Sequence, residues 1–177
     1  MESQQRIYPI GVQNFEKIRK DGYVYIDKTA LIYQLVSSGS YYFLSRPRRF
    51  GKSLTLNLLR QYYDVRTRDK FEALFGDLYI GQHPTPSRNS YLVLHLNFSG
   101  IGGELNDYRR GLDAHCGITF ENFCKIYADL LPQDTLEGLR KANGAVEQLD
   151  FLCQACERAG QDMYCLLYTS PSPRDTR

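Results

Sequence analysis

Gly51, Lys52 and Ser53 stand in a row directly after the basic turn Arg46-Pro47-Arg48-Arg49-Phe50. A glycine lets the backbone approach an anion with no side chain in the way. A lysine beside it can carry positive charge to the β- and γ-phosphates of a nucleotide, and the next hydroxyl can bind Mg²⁺. The spacing therefore predicts a turn that binds a nucleoside triphosphate, with Lys52 on the phosphates and Ser53 as the Mg²⁺ ligand.

Such a turn needs a strand that delivers the chain and a helix whose first amides face the phosphates. The apolar run Tyr41–Leu44 is the strand candidate on the entry side. On the exit side a helix is predicted from Lys52 to about Tyr63, because apolar residues recur there at helical spacing. These core-facing residues are Leu54, Leu58, Leu59 and Tyr62.

The turn departs from the pattern Gly-x-x-x-x-Gly-Lys-Ser/Thr at its first position, where this sequence has Arg46. A side chain there must point away from the loop, or the chain must enter with a different geometry. Arg48 and Arg49 add guanidinium groups that can pair with phosphate oxygens in forked fashion. Three other interpretations stay open: a solvated basic turn, a degenerate loop that only supports the fold, and a non-enzymatic module that binds nucleic-acid phosphates through Arg46, Arg48, Arg49 and Lys52.

The remaining chain alternates helix-like and strand-like segments, which indicates an α/β layer architecture with a mostly parallel sheet. Tyr91–Phe98 is the strongest strand candidate because it is largely apolar, as buried parallel strands are. Asn14 is expected to cap a helix that ends at Lys20, and Asp27 a second helix that ends near residue 38. Further predicted segments are a β-like run at Tyr23–Ile26, a short helix at 69–75, a proline-containing loop at 82–89, and helices at 106–131 and 134–158.

The chain has 177 residues, enough for one domain, and its net charge of +2 is too small to indicate a general attraction to nucleic acid or membranes. No apolar stretch approaches the roughly 18 residues that a membrane span needs. The polar N-terminus lacks the apolar region of a secretory signal. We therefore expect a cytoplasmic protein without a membrane partner.

Outside the basic turn, no group of side chains has the spacing of a catalytic site. The five cysteines are interpreted as packed, reduced thiols, because no second pair or nearby histidine accompanies Cys153 and Cys156. His95 lies in the middle of the strand candidate and is interpreted as a core histidine. Asn97 is interpreted as a cap at the end of the same strand.

Three segments resemble the bacterial AAA-ATPase-like family: Tyr25-Ile26-Asp27-Lys28-Thr29, then Phe43 to Leu54, then Leu94-His95-Leu96-Asn97-Phe98-Ser99. The likeness runs from about Tyr8 to about Tyr164, and the family tolerates arginine at the first glycine position. It implies an incomplete P-loop NTPase-like domain of three layers that binds ATP and Mg²⁺. The residues implied to bind the nucleotide are Pro47, Arg48, Arg49, Phe50, Gly51, Lys52, Ser53 and Leu54.

The resemblance also carries expectations beyond the turn. It places Asp27–Thr29 beside the turn and close to the adenine, although the segment could equally be an N-capped helix at the edge of the domain. Members of the family typically continue into a restriction-endonuclease-like nuclease domain. That domain is not in this chain, and it would be the part that contacts nucleic acid.

The C-terminal sequence differs from what the resemblance implies. An apolar strand ending in acidic residues should follow residue 162, since these acids hold Mg²⁺ through water and polarise the attacking water. The chain instead has a short apolar run followed by Pro171 and Pro173. We expect residues 1–164 to be the N-terminal part of an ATPase-like domain and residues 165–177 to be a non-native, adapter-derived tail. The chain should then bind nucleotide weakly and not hydrolyse it.

Overall fold

A computed structural model describes residues 7–39, 42–44, 51–99, 101 and 104–168 of the chain. These residues belong to two compact units, Met1–Ser90 and Tyr91–Arg177. The basic turn predicted at residues 46–50 lies outside the described residues. The first residues of the helix after it are described.

The described part of the first unit contains helices and no strand. Helix α1 is held at its start by Asn14, whose side chain accepts a hydrogen bond from the Lys17 amide. Helix α3 has the bounds predicted from its apolar spacing, and it places Leu58 and Tyr62 in the core. The elements are α1 Phe15–Lys20, α2 Thr29–Ser37, α3 Lys52–Tyr63, a 3-10 helix Val65–Lys70, α4 Phe71–Phe75 and α5 Tyr79–Gln82.

Aromatic rings form the centre of this unit. The Phe75 ring lies 5.0 Å from that of Phe15, 5.1 Å from Phe71 and 5.8 Å from Tyr62, measured between centroids. Burying aromatic rings of this size contributes much of the hydrophobic stabilisation of a small helical unit. The Asn57 side chain in α3 also accepts a hydrogen bond of 2.8 Å from the Phe15 amide. Helix α3 is therefore fixed against α1 by both packing and a polar contact.

Asn89 fastens the end of α3 to the loop that leads out of the unit. It is 1% exposed, and its φ of 47° is in the left-handed region. Its side-chain nitrogen donates to the Asp64 carbonyl and the Thr67 hydroxyl, each at 2.8 Å. Its backbone amide donates to the Tyr62 carbonyl at 2.9 Å. One residue thus satisfies acceptors at the helix end that would otherwise be buried without partners.

The second unit contains a parallel pair of strands joined by helices. Its elements are β1 Tyr91–Asn97, α6 Leu105–Ile126, α7 Thr135–Lys141, α8 Gly144–Arg158 and β2 Asp162–Tyr168. The strands pair in register from Tyr91 opposite Asp162 to Asn97 opposite Tyr168. Parallel strands need a long crossover, which α6, α7 and α8 supply. The prediction of an α/β fold with a parallel sheet is confirmed, and the three-layer P-loop arrangement remains a prediction.

A tyrosine side chain provides a hydrogen-bond acceptor for a backbone amide at the edge of β1. The Tyr127 hydroxyl, just after α6, accepts a hydrogen bond of 3.0 Å from the Val93 amide. Both residues are buried. An unpaired amide at this position would cost about 1–3 kcal/mol, so Tyr127 stabilises the strand as well as the core.

Two predicted strands are not found among the residues that the structure describes. The run Tyr23–Ile26 has no regular structure; its Tyr23 amide donates to the Ile18 carbonyl and its Val24 amide to the Ile7 carbonyl. Of the strand predicted at Tyr41–Leu44, residues 42–44 are described and are not in a strand; Phe43 is 94% exposed. A strand is stable only beside a partner strand, and residues 7–39, 42–44 and 51–90 contain none to pair with these runs.

Other boundaries shift slightly. Helix α6 ends at Ile126 rather than near residue 131, and Asp27 precedes the α2 N-cap, which is Lys28. Within the described residues, no helix combines the length and the apolar character that crossing a bilayer requires.

Candidate functional site

The described part of the predicted phosphate-binding turn begins at Gly51. Its φ of 76° and ψ of 14° place it in the left-handed region, and it is the N-cap of α3. Residues with a side chain adopt this conformation at a cost of roughly 1–2 kcal/mol. No described atom lies within 4 Å of the position that a Cβ would occupy at Gly51. The glycine is therefore required by the backbone bend rather than by crowding.

The bend presents the first amides of α3. The first backbone hydrogen bond of the helix joins the Thr55 amide to the Gly51 carbonyl at 2.9 Å. The amides of Lys52, Ser53 and Leu54 precede it, and no described residue accepts a hydrogen bond from them. The first turn also has no acidic residue. Unpaired amides at a positive helix end favour an anion.

The side chains of this first turn suit a phosphate ligand. Lys52, Ser53 and Leu54 are all half-buried, and no carboxylate among the described residues forms an ion pair with Lys52. A lysine without an acidic partner keeps its charge available for an added anion. Of the eight predicted binding residues, Gly51, Lys52, Ser53 and Leu54 are brought together here. The other four, Pro47, Arg48, Arg49 and Phe50, lie outside the described residues.

The Asp27–Thr29 segment holds helix α5. One Asp27 oxygen accepts hydrogen bonds from the Thr29 amide at 2.7 Å and from its hydroxyl at 2.6 Å. The other accepts from the Tyr79 amide at 2.8 Å, and the Thr29 hydroxyl accepts from the Ile80 amide at 3.1 Å. These bonds give the segment a structural role at the start of α5. A position beside the adenine remains a prediction.

The same bonds set the acidity of Asp27. Partial burial raises the pKa of its carboxyl, but hydrogen bonds from the Thr29 hydroxyl and from the Tyr79 and Thr29 amides lower it by more. The net pKa is below the usual value for aspartate. Asp27 is therefore charged at neutral pH, as a group that accepts several hydrogen bonds should be.

In the second unit, Asn97, Cys124 and Cys156 have structural roles. Asn97 accepts a hydrogen bond of 3.0 Å from the Ser99 amide just after β1, as expected of a strand-end cap. Burial raises the pKa of the Cys124 and Cys156 thiols to about 11, so both remain protonated and unreactive at neutral pH. Among the residues that the structure describes, no three His, Cys, Asp or Glu side chains are placed to hold a metal ion.

Sequence reasoning missed two residues that stabilise main elements: Asn89 at the end of α3 and Tyr127 at the edge of β1. Asn89 was assigned to a surface loop, yet it is buried and bonded to the end of α3. The dipeptide Asn89-Ser90 directly before a strong strand was the available signal, since asparagine adopts the left-handed region more readily than most residues. Tyr127 carried no signal of its own, because its bond to Val93 depends on the packing of α6 against β1.

Comparison with known proteins places these observations in a family. The model of the AAA-ATPase-like family, described as "Predicted AAA-ATPase", matches residues 9–168. The chain is also 45% identical over 93 residues, or 52% of its length, to "Uncharacterized protein in vnfD 5'region" from Azotobacter chroococcum mcd 1. It spans 17% of the length of that relative. No solved structure matches. The family match and β2 both end at Tyr168.

Proposed function

Because the chain belongs to the AAA-ATPase-like family, we propose that it binds Mg²⁺-ATP at the start of α3. The observation that supports this most directly is the bend at Gly51, which leaves three consecutive amides and the Lys52 ammonium group without partners among the described residues. Family membership supplies the class of ligand, and the helix start supplies groups that suit its phosphates.

Each residue has a separate role in this proposal. The amides of Lys52, Ser53 and Leu54 donate to phosphate oxygens, and Lys52 neutralises charge on the β- and γ-phosphates. The Ser53 hydroxyl binds Mg²⁺, which when present lowers the negative charge of the phosphates. Arg48 and Arg49 complete the set as further donors. Gly51 keeps the backbone in the left-handed bend that directs these groups to one side.

We further propose that this chain binds ATP without hydrolysing it. Ligands of parallel α/β sheets bind beyond the carboxyl ends of the strands. The carboxylate of β2 is Asp162 at its first residue, and no acid follows it in the strand Asp162–Tyr168. The residue that would activate water is then absent from this strand. The proposal also includes two earlier expectations. Residues 165–177 are a non-native tail, and the intact protein has a nuclease domain.

Thermal unfolding with and without Mg²⁺-ATP tests the binding. A ligand at 100 times its Kd stabilises the folded state by about 2.7 kcal/mol, and Lys52→Ala should abolish this protection. Lys17→Ala, an exposed lysine in the same unit, is the matched control and should retain it. Protection that persists in Lys52→Ala contradicts the assignment. Duplex DNA binding that ATP does not affect, without any protection by ATP, favours a nucleic-acid-binding module instead.

Phosphate release tests the absence of hydrolysis. A malachite-green assay on the 177-residue chain should give no Mg²⁺-ATP-dependent phosphate above the background of Lys52→Ala. Turnover that depends on Lys52 would show that another residue activates water, and that part of the proposal would fail while nucleotide binding stood.

A further inference from the structure

The two units differ in net charge. Residues 1–90 carry 14 Lys and Arg side chains against 8 Asp and Glu, a net charge of +6, whereas residues 91–177 carry 8 against 12, a net charge of −4. A chain with one basic half indicates a polyanionic partner. The contacts of the described basic side chains decide which of them are available to such a partner.

Arg68 contacts the residue that follows Arg88, although the two arginines are twenty positions apart in sequence. The Arg68 guanidinium donates a hydrogen bond of 3.1 Å to the Asn89 carbonyl. The Arg88 guanidinium lies over the Phe71 ring, 4.5 Å from its centroid. Both arginines are exposed, and neither forms an ion pair with a carboxylate of the described residues. Each guanidinium is held in place on one side while its other N–H groups remain open to a ligand.

Among the described residues, no nearby carboxylate forms an ion pair with Arg68 or Arg88. The Asp64 carboxylate points inward and accepts a hydrogen bond of 2.9 Å from the Arg66 amide. Glu16 pairs with Lys70 at 3.0 Å. Asp69 and Glu72 are exposed, but neither forms an ion pair with Arg68 or Arg88.

Hydroxyl groups lie in the loop that carries Arg88. The Thr85 and Ser87 hydroxyls are 2.8 Å apart, and the Ser90 hydroxyl donates to the Ser87 carbonyl at 2.8 Å. Arginines and short hydroxyl side chains are the groups that contact nucleic-acid phosphates. We propose that the Arg68–Arg88 face, formed by Arg68, Arg88, Thr85 and Ser87, binds the phosphodiester backbone of a nucleic acid without reading its bases.

This face is separate from the proposed nucleotide site. The Asn89 amide bonds to the Tyr62 carbonyl, which places the face at the end of α3, while Lys52 begins the same helix. Ten residues of helix separate the two ends by about 15 Å. That separation exceeds the Debye length of about 8 Å at physiological salt. Mg²⁺-ATP should therefore leave binding at this face unchanged, and so should Lys52→Ala.

Fluorescence anisotropy with a labelled 20-base-pair DNA duplex, from about 50 to 200 mM salt, tests the proposal. The double variant Arg68→Gln/Arg88→Gln should bind at least about tenfold more weakly, and its slope of log affinity against log salt should fall by about 1.8, or about 0.9 for each lost phosphate contact. The matched control is Arg140→Gln/Arg158→Gln, which removes the same charge from the second unit. Arg158 also lies over a phenylalanine ring, 5.9 Å from the Phe151 centroid. This control should bind within about twofold of the unchanged chain.

Additional variants and ligands distinguish phosphate binding from unfolding and from other partners. Arg68→Lys/Arg88→Lys keeps the charge and should retain most of the binding, which guards against a loss caused by unfolding. Single-stranded DNA and RNA of the same length show whether the partner must be a duplex. Equal losses in the two glutamine double variants, competition by Mg²⁺-ATP, or no binding by the unchanged chain overturns the proposal. Salt-sensitive self-association without DNA binding overturns it as well, because the acidic half of a second copy is then the partner.

Discussion

Replacing Gly51 with alanine isolates the backbone contribution to nucleotide binding. The residue has a φ of 76°, and the space around its missing side chain contains no described atom within 4 Å. A Cβ therefore adds no clash, and the cost is the left-handed conformation itself, about 1–2 kcal/mol. If the free variant relaxes out of the bend and phosphate binding must restore it, this cost weakens binding about 5- to 30-fold.

Gly22 provides a matched control for this substitution. Its φ of 67° is similar, and its surroundings are equally open. Gly22→Ala should lose the same 1–2 kcal/mol or so of stability without changing nucleotide affinity. Gly51→Asn should restore most of the affinity, because asparagine tolerates the left-handed region. The assay is an equilibrium titration with a fluorescent ATP analogue and Mg²⁺, beside chemical denaturation. Unchanged affinity in Gly51→Ala would refute the reasoning.

Three further predictions concern side chains that stabilise one unit or the other from within. Tyr127→Phe removes the acceptor of the buried Val93 amide and should lower the free energy of unfolding by about 1–3 kcal/mol in denaturant titrations; a loss below about 0.5 kcal/mol would mean that water replaces the hydroxyl. Asn89→Ala loses the two 2.8 Å hydrogen bonds to Asp64 and Thr67 and puts alanine at a φ of 47°, so it should cost about 2–4 kcal/mol, and Asn89→Gly should cost less because it removes the backbone strain. The lowered pKa of Asp27 stabilises the fold above the unfolded-state pKa of about 3.9, and this contribution is lost as pH falls through the folded-state pKa. The stability difference between the unchanged chain and Asp27→Asn should thus be constant from about pH 7 to pH 5 and shrink below about pH 4; a difference independent of pH contradicts the role of the charge.

The segments that were predicted correctly have local sequence signals that mark where they begin or end. Helix α3 has a glycine before it and a 3-10 helix after it, and its apolar residues recur at helical spacing. Helix α1 has the Asn14 cap. Strand β1 is apolar over almost its whole length, which distinguishes a buried strand from a surface one.

The segments predicted wrongly depend on partners that the local sequence does not reveal. Tyr23–Ile26 has strand-forming residues, but Tyr25 instead packs its ring 5.4 Å from that of Phe15. Strand preference reflects a fit to neighbouring strands more than an intrinsic backbone tendency. Strand β2 was predicted to be short, yet it pairs with β1 over seven residues because β1 offers a continuous edge.

The candidate site was predictable only where it depends on local sequence. The order of Gly51, Lys52 and Ser53 at a helix start depends on local sequence, and the structure places these residues together. The delivering strand depends on long-range pairing, and residues 42–44 do not form it. The Arg68–Arg88 face also depends on long-range contacts, because Arg68 bonds to Asn89 and Arg88 lies over the Phe71 ring.

The most direct test of the proposed function follows the backbone amides of residues 51–54 by ¹⁵N–¹H NMR during a titration with Mg²⁺-ATP. Saturable shifts that are largest at Lys52, Ser53 and Leu54, and that adenosine does not produce, are the predicted result. Amides at the start of α3 that stay unchanged while ATP binds elsewhere, or not at all, would contradict it.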